Sequence, residues 1–331
     1  MAFFKVFLLL LFSPLVATLR TRQIYEYPPG RSRSVENIAI RHNGELVYTT
    51  TSEPCLYTIN PHVRNPKPVQ VHCFENASVT LGIAEAFEDV FTFVVGNYTH
   101  LQSVPGSFSV WNVNFRPHWK KPRVDLVVRI PEAAALNGIT AFTTSTILAA
   151  DSTLGQVWKV DLDSGRYSIA MSNPHLLPNA SLPIELNGIH FDHIASKAYI
   201  ANSANGTFGV AEYHAATGTF SPFRVLAHAH PGGVFDDFAL SRSRQVAYVT
   251  EHSNRVVSID LRTGEKEVVV EGPGGSVGGF EPTSAVLSSD ENVLYVGADR
   301  FTFPSGAETN GQIFEVDVCS DKRVHKWERI V

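Results

Sequence analysis

Asn137-Gly-Ile-Thr-Ala141 running into Ile147-Leu-Ala-Ala-Asp151, and Asn187-Gly-Ile-His-Phe191 running into Ala198-Tyr-Ile-Ala-Asn202, are two copies of one unit. Each opens on a polar residue, alternates apolar side chains along one strand, turns, and ends a second strand on Asp or Asn. Alternation at every second position marks strands and not helices. The same rhythm appears in Asp236-Asp-Phe-Ala-Leu240 into Val246-Ala-Tyr-Val-Thr-Glu251, and in Pro282-Thr-Ser-Ala-Val286 into Val293-Leu-Tyr-Val-Gly297. Working back toward the N-terminus, Glu36 and Leu81 open two further copies. The six starts, at 36, 81, 137, 187, 236 and 282, lie 45 to 56 residues apart, the length of one propeller blade.

A third strand follows in most copies: Leu56-Tyr-Thr-Ile59, Phe108-Ser-Val-Trp111, Val157-Trp-Lys-Val-Asp161, Val256-Val-Ser-Ile-Asp260 and Ile313-Phe-Glu-Val-Asp317. Turns such as Asp163-Ser-Gly165 and Arg262-Thr-Gly264 lead into a fourth. The expected fold is therefore all-β, a six-bladed β-propeller of four-stranded antiparallel blades with very little helix. The closing blade is expected to combine Ile24 to Tyr27 from the N-terminus with Val324 to Ile330 from the C-terminus.

The 331 residues, 44% of them apolar, suffice for one large all-β domain, here 18–331. Lys5, the apolar run Val6 to Phe12, Ser13-Pro14 and Ala17 have the layout of a secretory signal peptide over residues 1–17, too short to span a bilayer. Four N-x-S/T sequons, at Asn76, Asn97, Asn179 and Asn205, agree with that route and are the expected glycosylation sites. The protein is expected in the secretory pathway, secreted or luminal, as a monomer. A net charge of -5 without a basic stripe argues against nucleic acid as a partner. Cys55 and Cys73 flank a hairpin centred near Arg64, which would place them opposite each other for a disulfide, leaving Cys319 buried.

In a propeller the blade starts converge on the axis. Glu36, Asn137, Asn187 and Asp236 would form an inner ring of oxygen ligands suited to a hard cation, Ca²⁺ above others. Asn-Gly and Asp-Asp can also simply make an opening turn, a reading that does not extend to Glu36. Asn97, Asp151, Asn202, Glu251 and Asp299 would form a wider ring. His230, in the loop before Asp236, is a candidate acid, base or hydrogen-bond donor. Leu176, Leu177, Leu182, Phe235, Phe280, Phe301 and Phe303 would give an apolar mouth for substrate.

The starts Glu36-Asn-Ile-Ala-Ile, Asn137-Gly-Ile, Asn187-Gly-Ile and Asp236-Asp-Phe-Ala-Leu resemble the senescence marker protein/gluconolactonase family of six-bladed propellers. That resemblance implies Glu36, Asn187 and Asp236 as ligands of one divalent ion, with Asn137 contacting its water or the substrate. Two departures stand out: Asp236 precedes Asp237 where the family has Gly, and the arginine that lactonases use on sugar acids has no counterpart. The wording of Glu36-Asn-Ile-Ala-Ile-Arg-His-Asn-Gly-Glu-Leu46 and Ala150-Asp-Ser-Thr-Leu-Gly-Gln-Val-Trp-Lys-Val-Asp161 is closer to a fungal secreted branch that includes the hetero-Diels-Alderases of tropolone sesquiterpenoid biosynthesis. The resemblance implies a hetero-Diels-Alder cycloaddition of a quinone methide with a terpene alkene, using Asn137, Asn187, Asp236 and His230 with Phe235, Phe280, Phe301, Phe303, Leu177 and Glu251 around the substrate. The alternatives are a metal-dependent lactonase or ester hydrolase, and a non-catalytic propeller that binds a small hydrophobic or lactone-like molecule.

Overall fold

The structure is a computed structural model and describes residues 19–28, 34–100, 102–116, 121–173, 176–177, 186–252, 254–272, 280–299 and 310–319. The leader, Asn179, Leu182, Phe301, Phe303 and the segment 324–330 lie outside them. Six antiparallel four-stranded sheets are arranged as a six-bladed β-propeller. Blade 1 holds strands Ile38–Ile40, Leu46–Thr49, Cys55–Ile59 and Val69–Cys73, and blade 2 holds Val79–Phe87, Val90–Gly96, Ser109–Asn114 and Arg123–Arg129. Blade 3 runs Leu136–Thr143, Thr146–Asp151, Gln156–Asp161 and Tyr167–Ser172. Blade 4 runs Leu186–Asp192, Lys197–Asn202, Thr207–His214 and Arg224–His228, with blade 5 at Val234–Leu240, Val246–His252, Arg255–Asp260 and Lys266–Glu271.

Blade 6 shows how the ring closes. Glu281–Leu287, Val293–Asp299 and Gln312–Asp317 take their fourth strand, Thr21–Glu26, from the other end of the chain. Thr21 pairs with Val316, and the Arg22 guanidinium meets the Glu315 carboxylate at 2.7 Å. The inner strand of blade 6 also packs on that of blade 1, so every inner strand touches both of its neighbours.

The alternation in the sequence is an alternation between neighbouring blades. Ile147 and Ala149 pack into the cluster between blades 2 and 3, whereas Leu148 and Ala150 pack into the one between blades 3 and 4. Tyr199 and Ala201 likewise face blade 5, while Ile200 faces blade 3. Six such clusters fill the six gaps, and this is why second strands are apolar on both faces.

Hydroxyls that follow or end the second strands staple the blades together. Ser152 donates to the carbonyl of Leu186 at 2.5 Å, Ser203 to Phe235 at 2.7 Å, and Thr250 to Thr283 at 3.0 Å. Thr283 then donates to Val35 at 2.8 Å across the closure.

Cys55 and Cys73 are register partners on adjacent strands of blade 1 and form a disulfide, as the hairpin implied. The bond is compatible with passage through an oxidising compartment. Cys319 is exposed, a correction to its expected burial: it follows the last strand of blade 6 in a turn, its N–H donated to the carbonyl of Asn292. Among the described residues no helix is long and apolar enough to cross a membrane.

Candidate functional site

The inner strands do not begin with turns. At five of the six starts the register slips against the second strand: between Thr80 and Ile83, Leu136 and Ile139, Leu186 and Ile189, Phe235 and Phe238, and Pro282 and Ser284. These are β-bulges, where two residues oppose one, and a bulge re-aims a side chain. The bulged pairs include Asn137-Gly138, Asn187-Gly188 and Asp236-Asp237, so the bulge and not an opening turn explains the repeated motif. In blade 1, Glu36 donates its N–H to Thr49 (2.9 Å) while Thr49 donates back to Asn37 (2.9 Å).

The glycines set how close the ring can be. A Cβ on Gly82 would lie 2.2 Å from the carbonyl oxygen of Asn137, and one on Gly138 2.5 Å from that of Asn187. A Cβ on Gly188 would fall 2.3 Å from Oδ1 of Asp237. Without side chains at these points, the starts of four inner strands draw together, bringing Asn137, Asn187 and Asp236 side by side.

Electrostatics places Glu36 in the same group. Burial raises its carboxyl well above the usual range, and the charges of Asp236, Asp299 and Asp237 raise it further. Burial likewise raises Asp236, against the opposing hydrogen bond and charge of His252. His252 Nε2 lies 2.7 Å from Asp236 Oδ2 and its Nδ1 lies 3.5 Å from Glu281 Oε2. Burial alone would lower this imidazole, but Asp236, Glu281 and Asp299 outweigh it and raise its pKa. Tyr98, on a short hairpin of blade 2, has its hydroxyl raised by burial and by the charges of Glu36 and Asp151.

Asp236 and Asp237 part ways. Asp236 meets His252 near the blade starts, while Asp237 Oδ1 lies 3.1 Å from His190 Nε2. His190 lines a cavity of about 820 Å³ at the far ends of the inner strands, with Ile40, Ile83, Leu240 and Leu287.

Among the described residues no donor reaches three buried oxygens in the ring, Oδ1 of Asn137, of Asn187 and of Asp236. Buried acceptors without partners are uncommon, and they fit a hard cation held by Glu36, Asn187 and Asp236. Among the described residues no group of three or more His, Cys, Asp or Glu side chains is arranged to hold a metal, so such a site rests on two carboxylates and an amide.

The other expected site residues are placed differently. Glu251 is fully buried beneath the loop before Asp236, accepting from the His230 N–H at 2.9 Å and facing His230 Nδ1 at 2.9 Å, with Arg255 at 3.7 Å. It is a support for His230 and not a surface for substrate. Phe235 and Phe280 are fully buried in the clusters between blades 4 and 5 and between blades 5 and 6, so they serve the core and not the mouth. Leu177 is exposed above the buried Leu176. Asp151 takes the N–H groups of Ala134 and Ala135 and the indole N–H of Trp158, and Asn202 caps its own turn at Asn205. Both stay in the blade framework.

No protein-family sequence profile matches the chain. It is similar to a protein of Sarocladium schorii provisionally named hetero-Diels-Alderase asR5, 26% identical over 328 residues that span 86% of this chain and 80% of the relative. A Phoma sp. protein of the same provisional name is 27% identical over 178 residues, 47% of this chain and 50% of that one. In fold the chain is similar to a gluconolactonase of Xanthomonas campestris (13% identity, TM-score 0.62, covering 90% of this chain and 89% of that one). A calcium-binding regucalcin of Agrobacterium tumefaciens gives 11% identity and a TM-score of 0.63, covering 90% and 94%. The class is thus a six-bladed propeller of gluconolactonase and regucalcin shape, and the sequence is similar to proteins named as hetero-Diels-Alderases.

Proposed function

We propose that the chain is a pericyclase, joining a tropolone-derived quinone methide to an alkene of a cyclic terpene by hetero-Diels-Alder cycloaddition in the axial pocket. The observation that carries this reading is the similarity to asR5 along 86% of the chain. In such a reaction the carbonyl oxygen and the exocyclic methylene carbon of the quinone methide add across the alkene. One C–O and one C–C bond form, nothing leaves, and the tropolone ring regains its conjugation. The chemistry needs no nucleophile; it needs near-attack geometry and a donor on the carbonyl oxygen.

The ring of blade starts supplies donors of that kind. Glu36 is driven toward its neutral, O–H-bearing form by burial and three neighbouring acids. His252 is driven toward imidazolium by Asp236. A positioned donor in a water-poor site contributes about 10²–10³ in rate. Asn137 and Asn187, held side by side by their bulges, orient the substrate oxygens. Exclusion of water also protects a quinone methide from hydration.

The test is stereochemical. A quinone methide generated in solution and mixed with a cyclic sesquiterpene alkene gives racemic adduct at a background rate. With the protein present, the adduct is expected to form faster and in enantiomeric excess, measured by chiral chromatography. Racemic product at the background rate overturns the proposal.

The three donorless oxygens favour a second reading, metal-dependent hydrolysis of a lactone or ester. Glu36, Asn187 and Asp236 would hold the ion, which when bound would polarise the substrate carbonyl for attack by water, while Asn137 orients the substrate and the His252 imidazolium gives its proton to the leaving oxygen. Lactone turnover that requires Ca²⁺ and stops with a chelator would select this reading over the first.

A further inference from the structure

Far from the axis, blades 1 and 2 enclose a pocket of about 350 Å³ at the outer rim. It is lined by His72, Phe74, Trp111, Ser107, Ser109 and Arg129, and also by Asn76. Asn76 is exposed in the turn that leaves blade 1 and stands in the sequon Asn76-Ala77-Ser78, two residues after an aromatic ring. We infer that this pocket is the seat of an N-linked glycan on Asn76, its first N-acetylglucosamine lying over the Phe74 and Trp111 rings.

The wall is built for a sugar. The Phe74 ring centre is 4.8 Å from that of Trp111 and 4.6 Å from that of His72, both edge-on, so the buried Phe74 ring links two partly open rings into one aromatic wall. Phe74 is anchored by Phe93 behind it and by the Cys55–Cys73 disulfide immediately before it in the chain. Trp111 spends its indole N–H on the Ser109 hydroxyl at 2.9 Å and keeps its ring partly open. A pyranose offers one face of C–H bonds and a rim of hydroxyls. The aromatic surface suits the face, and the exposed Arg129 suits the rim and the acetamido group, the Ser107 and Ser109 hydroxyls being engaged within blade 2. The volume lies within the range of pockets that hold small ligands, about 300–1,000 Å³.

The other described sequons, at Asn97 and Asn205, stand apart from this pocket. Asn97 is half-buried and donates its amide to the carbonyl of Asn76 at 3.4 Å, and neither it nor Asn205 lines this pocket. In the modification, the Asn76 amide nitrogen bonds to C1 of a lipid diphosphate-linked oligosaccharide and gives up one proton, and the lipid diphosphate leaves. It happens on the nascent chain, before Ser78 becomes half-buried.

The test uses the full chain expressed through a eukaryotic secretory pathway and trimmed to one N-acetylglucosamine per site. Peptide mass spectrometry is expected to find the sugar on Asn76. Asn76→Gln is expected to lower the melting midpoint by about 2 °C, whereas Asn205→Gln leaves it unchanged, and the Asn76→Gln effect vanishes in a Trp111→Leu background. Should Trp111→Leu fail to fold, amide hydrogen exchange supplies the comparison: residues 72–74 and 107–111 exchange more slowly with the sugar than after complete enzymatic removal. An unmodified Asn76 in the exported chain, or an unchanged melt and exchange pattern after removal, overturns the inference. Protection restored by free N-acetylglucosamine on the Asn76→Gln chain would also overturn it, assigning the pocket to soluble saccharide.

Discussion

His252 and Asp236 form a 2.7 Å pair across the first two strands of blade 5, and that pair sits among three further acids, Glu36, Glu281 and Asp299. One cation therefore faces several carboxyl groups, so part of the cluster retains protons where isolated carboxyls would be charged.

If the His252 imidazolium is the donor to substrate, His252→Gln is expected to cut the accelerated cycloaddition by roughly 10²-fold with little change in the melt. The wild-type rate should stay level above the ordinary imidazole pKa near 6.5 and decline as pH rises through the elevated folded value. An unchanged rate in the variant would remove His252 from the mechanism.

Stability should show the same sign. Glu36 has a folded pKa above its unfolded one, so the folded chain holds a proton that the unfolded chain has lost. Stability is then complete below the unfolded value near 4.3 and falls as pH rises toward the folded value. Glu36→Gln, which keeps the shape without the charge, is expected to raise the melting temperature at pH 8 and to change it little at pH 4. Equal effects at both pH values would contradict the shift.

Removing a metal separates the two proposed chemistries. A chelator is expected to leave enantioselective cycloaddition intact, because the donors involved are protons on Glu36 and His252. If cycloaddition is lost with the metal and regained with Ca²⁺, the donorless oxygens of Asn187 and Asp236 hold an ion that the reaction needs.

Gly138→Ala should be costly although alanine is a conservative change. The new Cβ would meet the Asn187 carbonyl oxygen at 2.5 Å, and backbone cannot swing aside as a side chain can. A loss of about 2–3 kcal/mol in denaturant unfolding is expected, together with reduced activity as Asn137 and Asn187 are pushed apart. Gly218→Ala, with open space around it but a positive φ of 70°, is the control for backbone strain alone.

The six-fold rhythm was legible because each second strand must be apolar on both faces to fill two inter-blade gaps, as Ile147 to Ala150 do. Glu36 and Asp236 could be brought together from the same periodicity. Other parts were not readable. Asn137-Gly138 has the composition of a turn, and only the register slip shows it to be a bulge inside a strand. Strand parity hid His252: ending the second strand of blade 5 at Glu251 selects the residue that points under the loop, and the next one along points at Asp236. Phe235 and Phe280 look like rim residues because they adjoin polar loops, yet a neighbouring blade covers each of them completely.

The Thr21–Glu26 strand finds its partner almost 300 residues later, where Arg22 meets Glu315 across a separation of 293 residues. At a synthesis rate of roughly 5–20 residues per second, the beginning of the chain waits some 15–60 s with its strand edge unpaired. Blades 1 to 5 can stack during that interval, but the sixth cannot be completed until Gln312–Asp317 has been synthesised. The interval is when the nascent protein is most open to mispairing with another chain or to capture by a chaperone.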